Sequence, residues 1–436
     1  MFQIYSFLFT VGFLILSPVF LLRREKYAAG FWQRLGYLPE FEQNNRPVLW
    51  LHCVSVGEAN AARSLIEEIK KQFPNYRIIV STTTKTGQEL AREIFAGKAE
   101  TVFYFPYDWR FSVLRALKTF KPNIVLLMET ELWFNFIREA SKSGAMVAIV
   151  NGRLSEKSFR RYAYIEKFMH RVLNRVDLAL MQDNADAQRL LKLGIRANKV
   201  RVTGNVKFDQ KTDRTETALS EYFRARFGFS KDAPLIVAAS THAPEERWIL
   251  EAYKQVFKSA PEKLPRLLVA PRHPERFSEV AQLINETGFE WVRRSEKVSE
   301  HDETAEIILL DSIGELRAAF PLAEIVFVGG SLVPHGGQSV LEPAIAGKAI
   351  VTGFYTTNFA AAVKEFLNKE ALVQLTETDE TTIAAELAAV FAELLRDADK
   401  RERLAANALA VMEKNGGATE NTLEYLKSVL QVHNKQ

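Results

Sequence analysis

Short, almost uninterrupted apolar runs alternate with amphipathic stretches of helical period, and this alternation limits the chain to very few folds. The first series of runs is PVLWLHCV, RIIVSTT, TVFYFP, NIVLLME, AMVAIVNG, LALMQ and KVRVTGN, with segments such as EANAARSLIEEIKKQ and DNADAQRLLKLG between them. Strands that are apolar throughout are buried on both faces, which is the condition of a parallel sheet covered by helices. The polar stretch KFDQKTDRTETA then interrupts the rhythm, and a second series follows: PLIVAAS, RLLVAPR, EIILLDS, EIVFVGG, KAIVTG and LVQLT. The predicted class is α/β, with two doubly wound domains in succession.

A chain of 436 residues is too long for one core at about 150 residues per domain, which agrees with two lobes. The boundaries that follow are a membrane segment over residues 1–25, a first Rossmann-like domain over 26–206, a linker over 207–218 and a second Rossmann-like domain over 219–436. From about Thr381 the pattern is helical, and Gly416-Gly417 separates two helices. Two such domains predict a ligand cleft at the carboxyl ends of their strands.

Composition enters mainly by exclusion. The 57 basic and 53 acidic residues leave a net charge of +4, which gives no global electrostatic case for nucleic acid. The one cysteine, Cys53, excludes an internal disulfide and a thiolate zinc cluster, and its apolar surroundings predict a buried thiol. Neither GxGxxG, GxxxxGK nor HExxH occurs, so NAD, ATP and zinc lose support. Asp397-Ala398-Asp399 falls in a charged helical stretch and reads as solvated surface.

Residues 2–22 carry no charge, and as a helix they could cross about 30 Å of hydrocarbon. Arg23, Arg24 and Lys26 follow directly, the reverse of a cleaved signal, and their charge would hold the remaining chain on the cytoplasmic side. The other reading is an interfacial helix lying on the membrane or docked on the body, with Ser17-Pro18 as a kink point. Both bring the segment to lipid. The basic, aromatic stretch 158–175 is a further candidate for lipid contact, or else a solvated helix face.

Five motifs fall where strands end. Ser55-Val56-Gly57-Glu58 sets a carboxylate in a first helical turn, either as a general base or as an ordinary acidic residue of a helix start. Met128-Glu129-Thr130-Glu131-Leu132-Trp133 runs a buried strand into two carboxylates, and a helix cap is the alternative use, above all for Glu131. Gly204-Asn205-Val206-Lys207-Phe208-Asp209 offers a lysine to an anion, or to solvent. In Ala270-Pro271-Arg272-His273-Pro274-Glu275-Arg276, Arg272 and helix N-terminal amides could share a phosphate, or the segment is a plain turn. Gly329-Gly330-Ser331 and Pro334-His335-Gly336-Gly337-Gln338-Ser339-Val340-Leu341-Glu342-Pro343 allow close backbone approach before a helix expected near Ser339. There Glu342 either binds a ribose or stabilises the helix start.

Together SVGE, STTT at 81–84, METELW, NGRLS at 151–155, GNVKFD, APRHPERF and GGSL…GGQSVLEPA resemble the 3-deoxy-manno-octulosonate (Kdo) transferase family of lipopolysaccharide synthesis. The resemblance covers nearly the whole chain. It implies a GT-B glycosyltransferase whose two Rossmann-like domains face a cleft, the first binding the acceptor and the second the nucleotide sugar. It further implies inverting transfer of Kdo from CMP-Kdo to a tetra-acylated lipid A precursor at the inner membrane, with the body on the cytoplasmic side and with no metal or other cofactor. Glu58 matches the family's base, and Glu129 and Lys207 its transition-state positions. Pro271, Arg272, Ile313, Gly314, Glu315, Ser339, Val340, Leu341 and Glu342 match its nucleotide site. Within that site the expected contacts are Arg272 on the phosphate, the 313–315 turn on cytosine and Glu342 on ribose.

Two departures stand out: Phe134 where a proline is usual, and Gln338-Ser339 where His-Asn is common. The first bears on a helix start, the second on how the nucleotide is held at Ser339. Two other readings compete. One is a GT-B enzyme that uses a UDP-sugar on another lipid acceptor. The other is a two-lobed solute-binding protein, against which the uncleaved apolar run and its basic flank argue.

Overall fold

The structure, a computed structural model, describes residues 1–22, 29–209, 214–229, 233–259 and 265–434. The chain divides into two compact units, Met1–Asp209 with Asn415–Gln436, and Gln210–Lys414. Both are α/β units built on a seven-stranded sheet in which every strand pair is parallel.

In the first unit the strands are β1 (Val48–His52), β2 (Arg77–Thr82), β3 (Thr101–Tyr104), β4 (Ile124–Met128), β5 (Met146–Gly152), β6 (Leu178–Met181) and β7 (Val200–Val202), in the order β3-β2-β1-β4-β5-β6-β7. Every residue of β1, β2 and β4 is buried, as apolar runs covered on both faces require. On one face Trp50 stands edge-on to Phe103, Phe120 and Phe136, with ring centroids 5.2, 5.7 and 4.9 Å away.

The second unit holds β8 (Leu235–Thr241), β9 (Arg266–Pro271), β10 (Trp291–Arg293), β11 (Ile307–Leu309), β12 (Ile325–Val328), β13 (Ala349–Thr352) and β14 (Val373–Gln374), in the order β10-β11-β9-β8-β12-β13-β14. Strand β10 escapes the apolar-run criterion because it is a short edge strand with only Val292 buried. Each sheet reverses its winding once, between β1 and β4 and between β8 and β12. Open α/β sheets hold ligands at such switch points, at the carboxyl ends of the strands.

Three sequence expectations change. No helix among the described residues is long and apolar enough to cross a membrane, so a spanning anchor over 1–25 is not supported. The helix Phe2–Leu22 instead lays one face on the first unit. There Tyr5 donates to Asp108 Oδ2 (2.8 Å), Asn135 Nδ2 to Ser6 Oγ (3.0 Å) and Trp109 Nε1 to Thr10 Oγ1 (2.9 Å). Phe2 packs edge-on against Phe168, and Phe13 against Tyr107 and Trp109. The hydroxyls of Tyr5, Ser6 and Thr10 find on the body partners that lipid would not supply, which is the physical reason for docking. Arg23, Arg24 and Lys26, on which the orientation rested, lie outside the described residues.

The linker is shorter than 207–218. Residues 206–209 form a 3-10 turn and a helix already runs over Arg214–Phe227, while 210–213 lie outside the described residues. At the C-terminus, the helix Ala418–Asn434 belongs to the first unit rather than to a second domain ending at 436. Leu423, Leu426 and Leu430 are buried among residues of β1 and β2. Tyr76 donates to the Leu430 carbonyl (2.9 Å), and the Asp209 carboxylate caps the helix by accepting from Gly417 N (2.7 Å) and Thr419 N.

Candidate functional site

In the first unit the sequence motifs converge at the switch point. Ser55, after β1, caps the helix Val56–Gln72, and Glu58 in its first turn reaches back. Glu58 Oε2 accepts from Val54 N (2.8 Å) and Oε1 from Ser55 Oγ (3.0 Å), a variant of the capping box in which the carboxylate holds the amide before the N-cap. The carboxylate that holds the helix start is therefore also a buried one. Burial pushes its pKa up to about 7, with Glu129 and Glu131 adding to the rise against the hydrogen bonds from Val54 and Ser55. Such a group can exchange a proton near neutrality.

Glu129 follows β4 in the left-handed region (φ 53°), an uncommon backbone for a residue with a side chain. Its Oε1 lies 2.7 Å from Lys207 Nζ, and both side chains are half-buried. Lys207 is thus no solvated linker lysine. Its turn is fastened where Asn151 Oδ1 accepts from Val206 N (3.1 Å) and Asn205 Oδ1 from Lys207 N (3.0 Å). Glu131 does not cap the helix Phe134–Lys142, whose N-cap is Trp133 without a side-chain bond. Its pKa rises to about 7 through burial and then the charge of Glu129. The site therefore combines three carboxylates with one ammonium, and Glu131 belongs to it in a way that its resemblance to a capping residue concealed.

The stretch expected at lipid or in solvent has two faces, and Arg160, Arg161, Tyr164, Lys167 and Arg171 are exposed. In the stretch 158–175, Phe168, Met169, Val172 and Leu173 are core residues.

In the second unit the residues expected at a nucleotide lie at or beyond the carboxyl ends of β9, β11 and β12. Pro271 is the buried last residue of β9, and Arg272 is exposed, with its amide donating to the Thr241 carbonyl (3.0 Å). Ile313 is 78% exposed and Gly314 takes φ +83°. Glu315 pairs with Arg294 at 2.8 Å. The helix after the glycine-rich loop is Leu341–Ile345, so it starts two residues after Ser339, whose Oγ accepts from Leu341 N (3.4 Å). Val340 and Leu341 are buried, which leaves them only backbone groups to offer, while Glu342 lies in the first turn.

One residue that the sequence reasoning overlooked organises this end of the sheet. The fully buried carboxylate of Glu245 accepts from His242 N (2.9 Å), Gly330 N (2.7 Å), Ser331 N (2.9 Å) and Leu332 N (2.8 Å), tying the loop after β8 to the loop after β12. Its signal in the sequence was the polar THAPEE after an apolar strand. Among the described residues, no group of three or more His, Cys, Asp or Glu side chains could hold a metal ion.

The chain is similar to known proteins along nearly its whole length. Residues 29–210 match the family described as "3-Deoxy-D-manno-octulosonic-acid transferase (kdotransferase)". A 3-deoxy-D-manno-octulosonic acid transferase of Haemophilus influenzae is 32% identical over 98% of this chain and 99% of its own length. Among solved structures, a UDP-GlcNAc 2-epimerase of Neisseria meningitidis bound to UDP-GlcNAc covers 88% of this chain and all of its own, at 15% identity and a TM-score of 0.58. A glycosyltransferase of Rickettsia africae covers 90% of this chain and all of its own, at 13% identity and a TM-score of 0.56. These two are likenesses of fold alone. The full-length identity to the Haemophilus influenzae enzyme, together with the family match across the first unit, shows that the chain belongs to the 3-deoxy-D-manno-octulosonic acid (Kdo) transferase family.

Proposed function

We propose that this Kdo transferase moves Kdo from CMP-Kdo to a tetra-acylated lipid A precursor in lipopolysaccharide synthesis, with inversion at the anomeric carbon. The observation that carries the reading is Glu58, a base of near-neutral pKa beside the Glu129–Lys207 pair. Glu58 takes the proton of the acceptor hydroxyl while its oxygen attacks the anomeric carbon. The bond from that carbon to the phosphate oxygen breaks, and its electron pair leaves with CMP. Lys207, oriented by Glu129, offsets negative charge on the phosphate or on the Kdo carboxylate. The second unit holds the nucleotide, with Arg272 on the phosphate, backbone groups of Ile313, Gly314 and Glu315 on cytosine, the turn from Ser339 through Val340 and Leu341 beneath it, and Glu342 on ribose.

The direct test is transfer from CMP-Kdo, generated in place, to the tetra-acylated precursor, with CMP and UMP as competitors. Product formation inhibited by CMP and not by UMP is expected. No product, or inhibition by UMP alone, overturns the reading in favour of a UDP-sugar enzyme. A base must be deprotonated to act, so kcat/KM should rise about tenfold per pH unit below about pH 7 and level off above it. A profile that stays flat across that region removes Glu58 as the base.

The N-terminal helix is proposed to lie in the membrane surface. Opposite its docked face, Ile4, Phe7, Leu8, Leu14, Ile15 and Leu16 are each at least half exposed. The apolar surface continues from Trp109 to stacked Phe111, over which Arg115 lies, and on to Tyr37 and Trp32. Apolar residues with aromatic rings and an arginine suit the boundary between acyl chains and headgroups. Replacing Phe7, Leu8 and Ile15 together by Asp should release most of the protein from anionic vesicles in a flotation assay. Unchanged flotation would assign membrane contact to another surface.

A further inference from the structure

Three histidines meet at the switch point of the second unit, and the roles assigned so far use none of them. His242 follows β8, His273 follows β9, and His335 sits in the loop after β12. The His242 ring centroid lies 4.6 Å from that of His335, inclined at 31°, and 5.2 Å from that of His273, at 86°. His242 is buried, while the other two are exposed at the same end of the sheet.

The cluster is held in place by the backbone beneath it. Glu245 anchors the His242 amide and the Gly330–Leu332 amides to one carboxylate. The His242 imidazole lies on Gly330, where a Cβ would come within 3.2 Å of Nδ1. Asn358 Nδ2 donates to the His335 carbonyl at 2.8 Å and fixes that loop. Because His242 Nδ1 faces the Ser240 carbonyl at 3.2 Å, Nδ1 must carry the donating hydrogen, which leaves Nε2 as the nitrogen that gains or loses a proton.

Imidazoles this close repel one another once charged. Burial first, then His335 and His273, push the His242 pKa down to about 4, and only the Glu246 charge and the Ser240 carbonyl oppose this. The surrounding carboxylates are already committed. Glu245 is saturated by backbone amides, and Glu246 is held by Arg276 (2.6 Å) and Thr241 (2.7 Å). Glu275, 3.9 Å from His273 Nδ1, is exposed, as is the Arg272 guanidinium beside it. Among the described residues no carboxylate sits amid all three rings, and an arriving oxyanion would bring a negative charge there and draw protons onto them.

We propose that His242, His273 and His335 form the subsite that receives an acidic group of the donor, taking up a proton as it binds. This rests on the CMP-Kdo reading, in which the donor carries two such groups, the phosphate of the nucleotide and the carboxylate of the sugar. An oxyanion seated on three imidazoles also gives the enzyme a way to distinguish an acidic sugar donor from a neutral one.

The test is binding of CMP and of cytidine to the full-length protein by titration calorimetry, with KM for CMP-Kdo generated in place. Wild type is compared with the double variant His273→Gln, His335→Gln, whose two positions are exposed, and with His242→Gln. The expected result is that the variants bind CMP about tenfold more weakly than wild type near pH 6, with the gap closing near pH 8.5 where imidazoles are neutral, and that cytidine shows no gap. A gap seen in KM for CMP-Kdo but not in CMP binding assigns the subsite to the sugar carboxylate. Equal behaviour of variants and wild type in both measurements overturns the proposal, as does an equal loss with cytidine, which would be structural damage. Should UMP bind where CMP does not, the donor reading fails, and the same gap measured with UMP still decides the subsite.

Discussion

Glu58→Gln is expected to lower kcat for Kdo transfer about 10³-fold while KM for the donor changes less than about threefold. Glutamine serves at this position of a capping box as well as glutamate does, so the bonds with Val54 and Ser55 can persist and the fold should hold. What the amide cannot do is take a proton. Stability gives a second readout. A carboxyl whose folded pKa is raised to about 7 contributes stability below its unfolded value near 4.5, and that contribution is lost as pH rises through about 7. The variant lacks this loss, so at about pH 8 its Tm should exceed that of wild type although its own activity is nearly gone. A stable variant with wild-type kcat would remove Glu58 from the chemistry.

Lys207→Met should lower kcat about 10²-fold, the scale of removing one preorganised charge from a developing anion. The interest lies in combining it with Glu129→Gln. Glu129 and Lys207 touch at 2.7 Å, and in the proposed mechanism Glu129 aims the ammonium. Once Lys207 is gone, the loss of Glu129 should cost little more, so the double variant should resemble Lys207→Met alone. If the two losses multiply, the residues act separately and the pairing is incidental. Circular dichroism of each variant guards against unfolding, since the turn Val206–Asp209 also carries Asp209, which caps the C-terminal helix.

Much of the site was visible along the chain because strand ends can be read from apolar runs, and both sheets place their ligand-facing loops there. SVGE, METELW and GNVKFD each showed one functional group and one bland alternative. The structure decided between them differently in each case. Glu58 turned out to be both cap and buried carboxyl, Glu131 was no cap, and Lys207 was no solvated lysine. His273 and His335 stood inside two of the motifs, but their meeting with His242 was not legible, and Glu245 was missed because a residue that binds backbone amides of a distant loop carries no periodic or spacing signal of its own. The loop it holds lies 85 residues further on.

Local pattern by itself determined the strand succession, the two-lobed α/β organisation and the end of each strand at which the motifs fall, because burial on both faces forces apolar runs and parallel strands force helical crossovers. Tertiary structure alone decided what those segments touch. The uncharged helix Phe2–Leu22 lays one face on the first unit because Tyr5, Ser6 and Thr10 find hydrogen-bond partners there. The last helix returns to the first unit because Asp209 caps it and its leucines fill the groove beside β1 and β2. A carboxylate at position 129 becomes the partner of a lysine at 207 because the turn after β7 is held by Asn151 of β5, the strand beside β4. Contacts between residues far apart in sequence depend on which surfaces meet, and side-chain complementarity settles that only once the chain has folded.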